Sequence, residues 1–188
     1  MDAATAAPAP HTPLTTLAES VFERTSPYPG FGFKNHCRRL YHFATMLMQR
    51  RGVGIPRDLA YLVAMVHDLG IVSEQDQGIN YLQRSRALFH RVTEGLDLGE
   101  VDPDVLDECL LYNHRLMPVP GLSETANCFR QAVIIEHTRG LARFGLDRGA
   151  VREVFDEHPR GNFDRVLLDF TWRTLRREPR TLVDGIFL

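Results

Sequence analysis

The segment Leu59-Ala60-Tyr61-Leu62-Val63-Ala64-Met65-Val66-His67-Asp68 constrains this chain more than any other. Its apolar run predicts a buried helix. The dipeptide that closes the run sets an imidazole and a carboxylate where unpaired polar groups are expensive to hold. A divalent ion is a partner whose charge offsets the desolvation of both, since neutral imidazole and ionised carboxylate are ordinary ligands of first-row metals. The competing reading is a hydrogen-bonded core histidine beside the last polar residue of a helix, and the dipeptide alone does not separate the two.

Further candidates lie along the chain. From Asn35 to Arg51, His36, Leu40, Phe43, Ala44 and Leu47 recur at helical spacing, which turns His36 inward. Pro56 as first residue of the next helix and Gly70 as its terminator put His67 and Asp68 in its last turn, where backbone carbonyls favour a cation. A helix over about Gln77 to Gly95 turns Tyr81, Ser85, Leu88, Phe89 and Val92 inward. Asp102 caps another, with Leu106, Leu110 and His114 along one line. A helix from Thr125 to Phe144 presents Phe129, Ala132, Val133, Glu136 and Gly140 on one face, leaving Glu136 as a lone acid on an apolar stripe. Such a carboxylate takes up a proton, binds a metal or pairs with a guanidinium such as Arg39 or Arg115. The stretches Leu14 to Glu23, Asp147 to Glu157 and Asn162 to Arg177 also read as helices, and no period-two run of strand length occurs. The expected fold class is all-α. His11, His42, His90, His137 and His158 read as tail, surface or packing residues.

Composition sets the outer bounds. With 188 residues, 44% of them hydrophobic, the chain suits one domain over residues 14–188, preceded by a disordered tail over 1–13 rich in Ala, Pro and Thr. A net charge of −2 argues against an extended nucleic-acid surface. Cys37, Cys109 and Cys128 form no CxxC pair, so a cytoplasmic location is expected. Neither a membrane span nor a secretory signal is evident, so no membrane partner is expected, and a homo-oligomer stays open.

His36, then His67-Asp68 after an apolar helix, then a late acid resembles the HD-domain superfamily of metal-dependent hydrolases, from about Phe33 to Ala142. Phe33-Lys34-Asn35-His36-Cys37-Arg38-Arg39 with Met65-Val66-His67-Asp68-Leu69-Gly70 is similar in particular to its cyanamide hydratase-like branch, in which an Asn-His pair opens the first ligand helix. Cys128-Phe129-Arg130-Gln131-Ala132 and Gly140-Leu141-Ala142 extend the likeness. The resemblance implies a single-domain HD-type helical bundle. It also implies a divalent transition metal, zinc or iron with manganese or nickel as alternatives, and addition of metal-activated water to a small polar, nitrile-like molecule. Tyr81 stands near where two-metal members carry another histidine, which favours one ion and disfavours a di-iron oxygenase. Val133 follows Ala132 where the family has its last aspartate, so Glu136, about one turn further, is the expected substitute beside His36, His67 and Asp68. Asp68 is expected as ligand and base, with Lys34 and His114 orienting the substrate. Two alternatives remain. One is a phosphohydrolase drawing on Arg38, Arg39, Arg84, Arg86, Arg115 or Arg139; the other is a degenerate domain that binds a ligand or partner, for which Val133 is the main support.

Overall fold

A computed structural model describes residues 7–76 and 78–180, and among these no strand occurs. The helices are α1 (Pro13–Thr25), α2 (Gly32–Arg51), α3 (Arg57–Val66), α4 (Leu69–Val72), α5 (Tyr81–Thr93), α6 (Pro103–Leu111), α7 (Glu124–His137), α8 (Arg148–Glu157) and α9 (Phe163–Arg177). The described part of the chain is all-helical, as the absence of period-two patterning predicts. No helix among the described residues is long and apolar enough to cross a membrane.

The longest helix, α2, runs through the middle. It packs on α7 along one side and on α3 along another, while α8 and α9 also touch it. The inward stripe of His36, Leu40, Phe43, Ala44 and Leu47 is buried, and so are Cys37, Tyr41, Met46 and Met48, because neighbours surround this helix on most sides. Gly52, at φ +67°, turns the chain out of it. All eight residues from Leu59 to Val66 are buried in α3, and fully burying each of its Leu, Val and Met side chains contributes about 1.5–3 kcal/mol.

Three local expectations change. Gly70 does not end α3; it lies inside α4, and α3 already stops at Val66 with His67 as its cap. Close packing explains the glycine. A Cβ there would stand 2.0 Å from the Tyr81 carbonyl oxygen, and the Gly70 amide donates to Ser85 Oγ at 2.9 Å. Next, α7 ends at His137 rather than near Phe144, because Arg139 (φ +53°) and Gly140 (φ +78°) adopt left-handed backbone. Finally, residues 7–12 of the expected tail lie against the bundle. Arg57 Nη2 donates to the carbonyls of Ala7 (2.7 Å) and Pro8 (2.6 Å), and Thr12 forms a capping box with Thr15 before Pro13 begins α1. The rest of that tail, residues 1–6, lies outside the described residues.

Candidate metal centre

One end of the bundle gathers polar groups that would otherwise be strangers in a hydrophobic core. His36 comes from the first half of α2, His67 caps α3, Asp68 occupies the bend into α4, and His114 follows α6 in a turn. Glu136 and His137 close α7. His36 Nε2 lies 3.2 Å from His67 Nε2 and 3.4 Å from Asp68 Oδ2, and His67 Nε2 lies 3.0 Å from the same oxygen.

Hydrogen bonds behind His67 and Asp68, and a carboxylate behind His36, fix what these three atoms are. His67 Nδ1 donates to the Ala64 carbonyl at 2.7 Å, which leaves Nε2 of the neutral ring a lone pair. Glu136 Oε2 stands 3.2 Å from His36 Nδ1 without completing a hydrogen bond, and its negative charge favours the ring proton on that side, which leaves Nε2 bare. His114 Nε2 donates to Asp68 Oδ1 at 2.9 Å and leaves Oδ2 facing the rings. Three lone-pair atoms thus converge, all buried. Such a cluster needs positive charge at its centre. Without an ion a proton must serve: burial pulls the His67 pKa down, but the charge of Asp68 beside it holds it well above the ordinary histidine value. Burial likewise pushes Asp68 up, while His67 and His114 hold it well below the usual carboxylate range.

The three separations also fit an ion. Two ligands about 2.0–2.1 Å from a tetrahedral metal stand about 3.3 Å apart, close to the three edges observed. His36, His67 and Asp68 are therefore the residues that could hold one.

Glu136 is not among them. Its Oε1 accepts from Arg39 Nη2 (2.6 Å), Arg39 Nε (3.1 Å) and Arg160 Nη1 (2.6 Å), and its Oε2 faces the back of His36. The shift of one helical turn from position 133 carries the carboxylate to the far side of the imidazole, where it orients a ligand and satisfies two guanidinium groups. Burial would raise its pKa, but His36 and Arg39 hold it far below the carboxylate range. Lys34 is also elsewhere: its ammonium pairs with Glu23 at 2.8 Å and with Glu19. Its place next to Asn35-His36 in the chain does not bring it to the same face of α2.

Asp68, His114 and His137 form the polar wall of a cavity of about 240 Å³, whose other walls include Ile71, Tyr81, Val133 and Phe170. His137 is the residue that sequence reasoning passed over. It follows Val133 by four positions and so shares its helix face, a spacing that would have marked it once Val133 was placed at the centre. Its Nδ1 donates to the Val133 carbonyl at 2.9 Å and burial lowers its pKa to about 4, so Nε2 carries a lone pair. Arg160 was missed as well, and it arrives from the loop after α8 with no local signal. Compared with protein-family models, with curated proteins and with solved structures, the chain gave no match.

Proposed function

We propose that this chain is a metal-dependent hydrolase or hydratase of HD type, adding water to a small, polar, nitrile-like molecule. The observation that carries the reading is the convergence of His36 Nε2, His67 Nε2 and Asp68 Oδ2 as three bare acceptor atoms at ligand spacing. A divalent transition ion held by them, zinc or iron first, would supply Lewis acidity and a water ionised near neutral pH. The chain's own groups divide the remaining work. His114 holds Asp68 in register through Oδ1 and forms with it a path for a proton. His137 offers its Nε2 lone pair at the cavity wall as a base. Ile71, Leu116, Val133, Ile134 and Phe170 exclude bulk water and favour a reactant with an apolar flank.

Among the described residues, no Arg or Lys lines this cavity, which weakens the phosphomonoester reading. One observation favours that alternative: Arg115, next to His114 in the chain, has Nε and Nη1 buried without hydrogen-bond partners. The test is metal analysis of protein purified without added metal, followed by assays with cyanamide or small nitriles against nucleoside monophosphates. A transition ion that His67→Ala loses, with metal-dependent hydration of the nitrile, is expected. Equal metal content in wild type and His67→Ala overturns the metal reading, and turnover of phosphate esters alone overturns the substrate class.

A further inference from the structure

A second pair of facing imidazoles lies on another side of α2. We infer that His42, His158 and Glu157 form a second transition-metal site, open to solvent, that binds a divalent ion independently of the first centre. His42 follows His36 by six residues, which at about 100° per residue turns its ring roughly a third of a turn away from the first cluster. Its Nε2 lies 3.0 Å from His158 Nε2, the two rings within 21° of parallel and 4.9 Å between centroids, so the atoms meet head to head. Glu157 Oε1 is 3.9 Å from His158 Nε2, and one donor atom from each of the three residues lies within 4.8 Å of the other two.

This pair is built into the fold. His42 is 4% exposed, and its buried Nδ1 has no hydrogen-bond partner among the described residues, so the facing ring is its one polar contact. Two neutral rings meeting this way share at most one proton, whereas an ion between them engages a lone pair from each, at a separation near the roughly 3.3 Å of tetrahedral ligands. His158 is itself anchored. Its carbonyl accepts from Arg39 Nη1 at 2.7 Å, and the same guanidinium grips Glu136 behind His36. The two clusters are thus positioned from opposite ends of one buried arginine.

The site opens into a cavity of about 320 Å³ bordered by Pro8, Pro10 and His11. Arg57 and Thr15 pin that border through the carbonyls of Ala7, Pro8 and Pro10, which brings a third imidazole to the same cavity. Arg38, also on the wall, is paired with Glu19 at 3.1 Å. Two imidazoles, one carboxylate and room for water suit zinc, cobalt, nickel or copper, and exclude magnesium or calcium as preferred ions.

The full chain, stripped with a chelator and dialysed, is titrated with Zn(II) and its bound zinc counted, with circular dichroism checking the fold of each variant. Wild type is expected to take two ions. The double variant His158→Ala with Glu157→Gln, both reachable from solvent, should take one, and His67→Ala the other one. The inference falls if the double variant binds as much zinc as wild type, or if wild type binds only the ion that His67→Ala loses. Loss of zinc in the double variant with none lost in His67→Ala would uphold the second site and sink the first reading instead.

Discussion

The two clusters on α2 share a motif, facing Nε2 atoms about 3 Å apart beside a carboxylate, yet the far sides of their rings differ. In the core cluster His67 is held from behind by Ala64 and Asp68 by His114, while the Glu136 carboxylate faces the back of His36 without a hydrogen bond. At the rim, His42 Nδ1 has no partner among the described residues and Glu157 is exposed. The lesson is that orientation comes from the second partner of a ring. Two of the three core ligands are locked by hydrogen bonds before any ion arrives, whereas His42 at the rim, though it already faces His158, has no such partner behind its ring.

Removing the carboxylate beside each cluster should expose the contrast most sharply. Glu136→Ala leaves Arg39, which is 0% exposed, as a buried guanidinium without its counter-charge, and is expected to destabilise the metal-free chain by about 3–5 kcal/mol. Glu157→Ala, on the surface, should change stability by no more than about 0.5 kcal/mol. Urea unfolding of both variants decides, and equal losses would break the comparison.

Glu136→Gln keeps the shape but weakens the hold on His36. Zinc affinity at the core site is expected to fall about 10–100-fold, with no change at the rim. Calorimetric titration of that variant in a His158→Ala background isolates the core site. A further sharpening is Val133→Asp, which returns a carboxylate to the position where the resemblance expects one. Burying it against the apolar wall should cost the metal-free chain about 1–3 kcal/mol, a loss that zinc reverses if the side chain reaches the ion. Failure of zinc to rescue it would show that position 133 does not face the metal.

Much of the core cluster was legible in the sequence because burial there is periodic. His36 sits on an apolar stripe, and His67-Asp68 follows a run buried on all sides, so each is turned inward by its own helix. His114 was legible for the same reason, although α6 ends before it. Glu136 was recognised as buried, and of the partners offered for it, a metal or a guanidinium such as Arg39 or Arg115, the structure shows Arg39, joined by Arg160. A stripe tells which way a side chain points but not which groups from distant segments meet it, and Arg160 lies 24 residues away. The rim cluster was hidden by the same limit. His42 and His158 are separated by 116 residues and meet only because α8 docks on α2. Gly70 misled differently, since close approach to α5 and helix termination ask for the same residue.

The smallest expected effect concerns Glu19, on the wall of the rim cavity, which pairs with Lys34, the residue once expected at the catalytic centre. Glu19 accepts hydrogen bonds from Lys34, Tyr61 and Arg38, which draw α1, α2 and α3 together. Burial raises the Glu19 pKa, but these three donors outweigh it and hold it below the ordinary value of 4.5. A carboxyl with a depressed folded-state pKa contributes stability that is fully present above its unfolded value. That contribution is lost as the pH falls below 4.5 and through the lower folded value. Glu19→Gln should therefore make the chain less stable at neutral pH, by no more than about 1 kcal/mol because the group is partly solvated, and the deficit should shrink on acidification. Thermal unfolding of both proteins between neutral pH and pH 3 measures it. A deficit that grows as the pH falls would mean that the ionised carboxylate is disfavoured in the fold and that its three donors do not outweigh burial.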